Sequence, residues 1–297
     1  MKNVREWSPI LPGFGTLAGR YDAALLDLWG VIHDGHRLYP GVADCVAKMR
    51  AHAMRILLLS NAPRRSDAII PQLARLGLAA DAYDGVVTSG DAARAAITNG
   101  ADDWHAQLGR RCFRLGPERD WGLLAGLEDW TIVADLAEAD FILTTGLFDD
   151  RTETVTTYDG LFAEAVGRGL PMICANPDLV VIRAGERVLC AGSLAAAYEQ
   201  AGGEVVYHGK PHPSVYRMCF ERLEGAPRER IVAIGDSLRT DIAGARGVGI
   251  DAVFVTGGIH AEELGLGAGE ALDIARLEAV LEEAPARPTA VLPALVW

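Results

Sequence analysis

Short apolar runs, most closed by glycine or a small polar residue, alternate along this chain with segments whose apolar positions recur at helical spacing. The first run, Ala23-Ala24-Leu25-Leu26, suits one buried strand and is too short for most helices; it ends at Asp27, and a turn containing Gly30 follows. Gly41 to His52 reads as a helix with Val42, Cys45, Val46 and Met49 at helical spacing, and Arg55-Ile56-Leu57-Leu58-Leu59 as a second buried strand ending in Ser60-Asn61-Ala62-Pro63. Asp67 to Gly77 is the next helix, stopped by Gly77, followed by strand and turn over Asp84 to Asp91 and a helix over Ala92 to Thr98. A second series places strand-and-loop segments at Phe113 to Gly116, Phe141 to Gly146 and Pro171 to Asp178, with helices at Tyr158 to Arg168 and Leu194 to Gln200. In a third, Val205 to Pro213 is strand plus turn, and Ser214 to Leu223 a helix with Ser214 as N-cap. Ile231 to Ser237 is a strand ending in Gly-Asp, Asp241 to Arg246 opens a helix, Ala252 to Gly258 is the last strong strand, and Ala271 to Leu277 is helical. Residues 1–20 read as an irregular lead-in, and Pro285 to Trp297 as a proline-rich tail draped over the surface.

Strands and helices alternating throughout predict an α/β protein with mainly parallel sheets. An inserted domain at 93–204 is expected between two halves of one core, 1–92 and 205–297. The 297 residues are ample for two domains. With 28 Lys+Arg against 40 Asp+Glu the chain carries a net charge of −12, which excludes tracking of a nucleic-acid backbone or an anionic membrane. A phosphorylated substrate stays open, because the local field of a site decides there. The five cysteines are scattered and form no CxxC pair, which fits a reducing cytosol rather than a disulfide framework or zinc site. There is no signal-peptide pattern, and no run nears the roughly 18 apolar residues of a membrane span. A cytoplasmic protein is the expectation, with a homodimer left open.

Four strand ends carry polar groups: Asp27, Ser60-Asn61, Lys210, and Gly235-Asp236 with Asp241. In an open α/β sheet the carboxyl ends of strands are where ligands bind. Asp27 alone reads equally as a helix cap or as a ligand or nucleophile. Together the four make a coherent phosphate site. Asp27 and Asp236 suit Mg²⁺, Lys210 supplies a point charge for phosphoryl oxygens, and Ser60 with Asn61 adds neutral donors.

This set resembles the haloacid dehalogenase (HAD) superfamily, whose order it follows: Leu26-Asp27-Leu28-Trp29-Gly30-Val31, Leu59-Ser60-Asn61, Gly209-Lys210-Pro211, and Ile234-Gly235-Asp236-Ser237-Leu238-Arg239-Thr240-Asp241-Ile242. The long insert, with Ala175-Asn176-Pro177-Asp178 and Thr88-Ser89-Gly90-Asp91, is similar to class IIA members, the group of 4-nitrophenyl, phosphoglycolate and pyridoxal phosphate phosphatases. The resemblance runs from about residue 20 to about residue 280. It implies a Rossmann-like core with an inserted α/β cap of the C2 type. It also implies a Mg²⁺-dependent phosphatase acting on a small phosphorylated metabolite through an aspartyl-phosphate at Asp27, with Lys210 assisting. The cation would sit on Asp27, Asp236 and the Trp29 carbonyl, with Asp241 orienting the site. Ser60, Asn61, Lys210, Asn176 and Asp178 would contact substrate.

One position departs from that pattern. Two residues after the nucleophile the family's phosphatases carry a second Asp, the general acid and base; here Trp29 stands there. Indole cannot shuttle a proton at neutral pH. The help lost is worth about 10²–10⁴-fold. His33 and Asp34 are nearby substitutes or ordinary turn residues. Two other readings follow: a phospho-ligand-binding relative without turnover, and a dehalogenase-like hydrolase, against which the metal-type pair Asp236 and Asp241 argues.

Overall fold

The computed structural model describes residues 8–266 and 271–297; the first seven residues of the lead-in lie outside the described residues. In chain order the strands are β1 (Ala23–Leu26), β2 (Arg55–Ser60), β3 (Gly85–Thr88), β4 (Arg111–Leu115), β5 (Thr131–Val133), β6 (Phe141–Thr144), β7 (Met172–Cys174), β8 (Val180–Arg183), β9 (Glu186–Leu189), β10 (Val205–Tyr207), β11 (Ile231–Gly235), β12 (Asp251–Val255) and β13 (Ala290–Leu292). The helices are α1 (Val42–Ala51), α2 (Ser66–Leu76), α3 (Ser89–Asn99), α4 (Asp103–Ala106), α5 (Asp159–Gly167), α6 (Ala191–Gln200), α7 (Pro213–Arg222), α8 (Ala243–Gly247) and α9 (Ile274–Glu283). The chain forms two compact units. One comprises Met1–Leu59, Gln72–Gly85 and Cys219–Trp297; the other comprises Ser60–Pro71 and Val86–Met218.

In the first unit, parallel strands run in the order β13-β12-β11-β1-β2. Every residue of β1 and of β11 is buried, as strands covered on both faces require, and this is why both appear in the sequence as unbroken apolar runs. Helix α1 buries Val42, Cys45, Val46 and Met49, the face its spacing predicts; Asp44 in its first turn and Lys48 and Arg50 in its last complement the helix dipole.

The C-terminal segment departs from expectation. Instead of a draped tail, β13 pairs with β12, and Ala290, Val291 and Leu292 are fully buried. Leu11 N–H donates to Val291 O, and Val291 N–H donates to Pro9 O, at 2.9 Å each, so the lead-in from Ser8 onward and the tail hold each other. Trp297 closes this seam against Phe14 and His52. The prolines that suggested a loose tail flank an apolar run short enough to be read as part of one.

The second unit holds a five-stranded parallel sheet, order β10-β7-β6-β4-β5, with an apolar cluster on each face. Helix α3 begins at Ser89, not at Ala92. Thr88 caps it, its hydroxyl accepting from Asp91 N–H while the Asp91 carboxylate accepts from Thr88 N–H. Helix α7 begins at Pro213, so Ser214 lies inside the helix rather than at its N-cap; proline suits a first helical position because its missing N–H has no intrahelical acceptor there. The hairpin of β8 and β9 and the short β5 carry no clear alternating pattern and were not anticipated. Among the described residues no helix is long and apolar enough to cross a membrane.

Candidate active site

Three of the expected site residues meet at the carboxyl ends of adjacent strands in the first unit. Asp27 follows β1, Asp236 follows β11, and Asp241 lies in a π-helical turn, Leu238–Ile242, that leads into α8. One carboxylate oxygen from each lies within 4.8 Å of the others, and all three residues are buried. The backbone sets them. Asp27 N–H donates to Ile234 O (2.9 Å), Asp236 Oδ2 accepts from Ile259 N–H (2.7 Å), and Asp241 Oδ2 accepts from Ser237 N–H (3.1 Å). Glycines make the close approach feasible. A Cβ on Gly30, whose φ is +82°, would stand 1.8 Å from Asp236 Oδ2; one on Gly235 would stand 2.1 Å from Asp241 Cγ. Carboxylates packed this closely crowd like oxygen donors together, and hard oxygen donors around one point are what a divalent cation such as Mg²⁺ takes. The donor set therefore fits the implied metal.

Trp29 is half-buried beside this centre. Its ring meets His33 edge-on at 5.2 Å between centroids, and a Cβ on Gly35 would press into the indole at 2.6 Å. His33 Nδ1 accepts from Gly35 N–H at 3.1 Å, which in the neutral ring puts the proton on Nε2. Asp34 closes a turn: its Oδ1 accepts from His36 N–H and Arg37 N–H, each at 2.9 Å. Burial alone would raise the Asp34 carboxyl, but these N–H groups and the Arg37 guanidinium outweigh it and hold the group below the usual carboxylate range. An acid held that low is a poor proton donor.

The remaining expected residues belong to the second unit and form a bonded layer there. Asn61 uses its whole amide: Nδ2 donates to Asp178 Oδ1 (2.9 Å) and to Lys210 O (3.1 Å), and Oδ1 accepts from Lys210 N–H (2.7 Å). Asn176 Oδ1 accepts from Asp178 N–H at 3.0 Å, shaping the Asn-Pro-Asp turn, and Ser60 Oγ accepts from Ala62 N–H at 3.1 Å. Gly209, at φ +117°, makes this possible, since a Cβ there would lie 2.6 Å from Asn61 Oδ1 and 2.7 Å from Ser89 Oγ. Lys210 itself is buried.

A bonded chain that sequence reasoning missed ends at His208, two residues before Lys210. Asp102 Oδ1 bonds His105 Nδ1 at 2.7 Å, and His105 Nε2 meets His208 Nε2 at 3.1 Å. Ser89 Oγ bonds the carbonyls of Ala175 and His208, tying the two loops together. Burial, with His105 and His212 nearby, lowers the His208 pKa to about 4, so this imidazole is neutral. No motif signals the pair, because 103 positions separate the two histidines.

A family model described as haloacid dehalogenase-like hydrolase matches residues 24–127, and one described as HAD-hydrolase-like matches residues 207–296. The crystal structure of a hydrolase of the haloacid dehalogenase-like family from Brucella suis 1330 is 36% identical, with 96% of this chain and 100% of that chain covered and a TM-score of 0.82. D-glycerol 3-phosphate phosphatase of Mycobacterium tuberculosis is 26% identical over 260 residues, 82% of this chain; the chain spans 65% of the length of that relative. Chronophin of Bos taurus is 27% identical over 268 residues, covering 83% of this chain and 85% of that protein.

Proposed function

The chain belongs to the haloacid dehalogenase-like hydrolases, among their class IIA phosphatases, and on that premise we propose that it hydrolyses a small phosphorylated metabolite with Mg²⁺ through an aspartyl-phosphate on Asp27. The observation that carries the reading is the buried trio Asp27, Asp236 and Asp241 at two strand ends and the turn beyond. Asp27, Asp236 and the Trp29 carbonyl would hold the cation, with Asp241 orienting the Gly235-Asp236-Ser237 turn through Ser237 N–H. When bound, the cation would offset the negative charge of carboxylates and phosphoryl oxygens.

The Asp27 carboxylate attacks phosphorus, the P–O bond to the leaving alcohol breaks, and water then releases phosphate and regenerates Asp27. Lys210 supplies positive charge for the phosphoryl oxygens, and Ser60 a neutral hydroxyl. Asn61, its amide engaged by Asp178 and Lys210, acts by setting the Lys210 backbone. Residues 93–204 form the cap in this reading, with Asn176 and Asp178 on the loop that selects substrate. Five buried cysteines with free thiols support a reducing compartment such as the cytoplasm.

Trp29 favours one second reading, a relative that binds phosphorylated ligands without turning them over. Turnover of 4-nitrophenyl phosphate and of a panel of phosphometabolites, with Mg²⁺ and with chelator, separates the two. The expected result is hydrolysis that the chelator abolishes. Ligand binding with no hydrolysis under any divalent cation would replace the phosphatase by the binding protein.

A further inference from the structure

The turn that carries Lys210 is held by ring contacts on the two residues that lead into it. Tyr207 closes β10, and His208 N–H adds one more rung to the ladder, donating to Cys174 O at 2.9 Å. Successive residues of extended chain face opposite ways. The Tyr207 ring stacks on His212 at 5.6 Å between centroids, and its hydroxyl donates to Glu199 Oε2 at 2.7 Å. The His208 ring meets His105 of α4 at 5.1 Å between centroids. The chain then turns through Gly209, whose carbonyl accepts from His212 N–H at 2.8 Å. Gly209 has no side chain to anchor the turn, so the hold falls to its neighbours.

His208 is the costly neighbour. The Asp102 carboxylate accepts from His105 Nδ1–H at 2.7 Å, and the two Nε2 atoms of His105 and His208 stand 3.1 Å apart. A neutral His208 therefore shares one proton with His105 across that contact. Both rings are buried, and His208 Nδ1 has no hydrogen-bond partner among the described residues. An apolar pair would fill the same space without leaving a ring nitrogen unmet. What the imidazole pair adds is direction, because a shared proton fixes the angle and distance of the two rings as well as their contact. Such a local conflict marks a residue kept for what it does rather than for how it packs.

We propose that His208, oriented through His105 by Asp102, is a positioning residue for Lys210. Lysine is a point charge on a flexible four-carbon stem, so the place of its ammonium is set by where the main chain puts the stem. At Lys210 the main chain is tied on one side by the Asn61 amide, which meets both its N–H and its carbonyl. On the other side stands His208, held by its ring to His105 and by its carbonyl to Ser89 Oγ. A turn fixed at both ends keeps the buried Lys210 side chain in one place. A misplacement of about 1 Å is enough to cost on the order of 10²-fold in rate where positioning carries catalysis. That consequence for turnover rests on the phosphatase reading, in which Lys210 meets phosphoryl oxygens; the positioning itself does not.

The chain has three lysines, Lys2, Lys48 and Lys210, so protein grown on ¹³C-labelled lysine gives a side-chain NMR spectrum simple enough to follow Lys210 alone. Lys48 pairs with Asp44 on the surface and serves as the reference for an exposed lysine; Lys2→Arg and Lys48→Arg assign the signals. In His208→Ala the Lys210 Cε signal is expected to move toward that of Lys48. The kcat/KM for 4-nitrophenyl phosphate should fall about tenfold or more, the scale for weakening one charged hydrogen bond. His208→Gln keeps much of the volume and an N–H near the place of Nε2–H, and should restore both. If the alanine variant does not fold, His105→Leu carries the test, since it leaves the turn untouched and removes the ring that orients His208. A lower melting temperature with the Lys210 signal unmoved overturns the proposal, because packing alone then explains the pair. So does a glutamine variant whose Lys210 signal is displaced as far as in the alanine variant. A displaced Lys210 signal with turnover unchanged upholds the positioning and removes Lys210 from the phosphatase reading. A wild-type chain that hydrolyses no phosphate ester refutes that reading, and the lysine signal still decides the proposal.

Discussion

The carboxylate centre of the first unit and the polar layer of the second are held by different means. Asp27, Asp236 and Asp241 are placed by backbone N–H groups and by glycines that let main chain and carboxylate approach within contact. In the second unit, side chains far apart in sequence hold one another: Asn61 with Asp178 and Lys210, Ser89 with the Ala175 and His208 carbonyls, His105 with His208. A centre fixed by main chain keeps its shape when a side chain changes, so substitutions there report on chemistry. A layer fixed by side chains is as stable as the protonation state of its members, so substitutions there report on folding as well.

The sharpest test of that contrast is Asp27→Asn. Asparagine keeps the shape and takes one carboxylate out of a crowded trio, so melting temperature should hold. Turnover should fall on the order of 10⁴-fold or more, the scale for loss of a nucleophile. Steady-state kinetics beside a thermal melt decides it, and a variant with near wild-type kcat would remove Asp27 from the nucleophile's role.

In the second unit the corresponding probe is pH. His208 is neutral in the folded protein, its pKa lowered from 6.5 to about 4 by burial and then by His105 and His212, with Asp102 acting the other way. The unfolded chain takes up a proton near 6.5 and the folded chain resists until about 4. The contribution is therefore fully present above 6.5 and lost as pH falls to about 4, roughly 3 kcal/mol at 1.36 kcal/mol per pH unit. Asp120 acts in the opposite sense. Its raised value favours the folded state below 3.8, and that is lost as pH rises through about 6. Comparing wild type with His208→Gln cancels the Asp120 part. Urea unfolding from pH 7.5 to 4.5 should show wild type losing up to about 3 kcal/mol relative to the variant; parallel curves would mean that His208 titrates normally.

The same contrast explains what the sequence disclosed. Strands β1, β2 and β11, with Asp27 and Asp236 at their ends, are continuous apolar runs closed by a polar residue, a local signal. Helix α1 is legible for a similar reason, since its four buried positions fall on one face. The Asn61–Asp178 and His105–His208 contacts join residues more than 100 positions apart, and no local pattern encodes them. The β13 strand fell to a competing signal: its prolines dominate the segment, and only pairing with β12 and the N-terminal lead-in makes it a strand.

The smallest expected effect concerns the boundary between chemistry and packing at Trp29. In the proposed reaction, transfer of the phosphoryl group to Asp27 needs positioning and charge neutralisation, which Lys210 and a cation held on the carboxylate centre would supply without a proton donor. An alkoxide leaving group needs a proton, and water attacking the aspartyl-phosphate needs a base; indole provides neither. Asp34 is a poor substitute, because the N–H groups of His36 and Arg37 hold it ionised. Aryl and acyl phosphates should therefore outrun alkyl phosphates in the wild type. Trp29→Asp should raise alkyl relative to aryl turnover about 100-fold, the lower end of what a positioned acid contributes. The indole also fills space against His33 and over Gly35, so the variant should melt lower even as its alkyl turnover rises. Measuring both rates in one preparation makes the ratio independent of how much protein is folded. A wild-type ratio already near unity would mean that the proton comes from elsewhere, with His33 Nε2 or the substrate itself as the remaining donors, and would return Trp29 to a packing role.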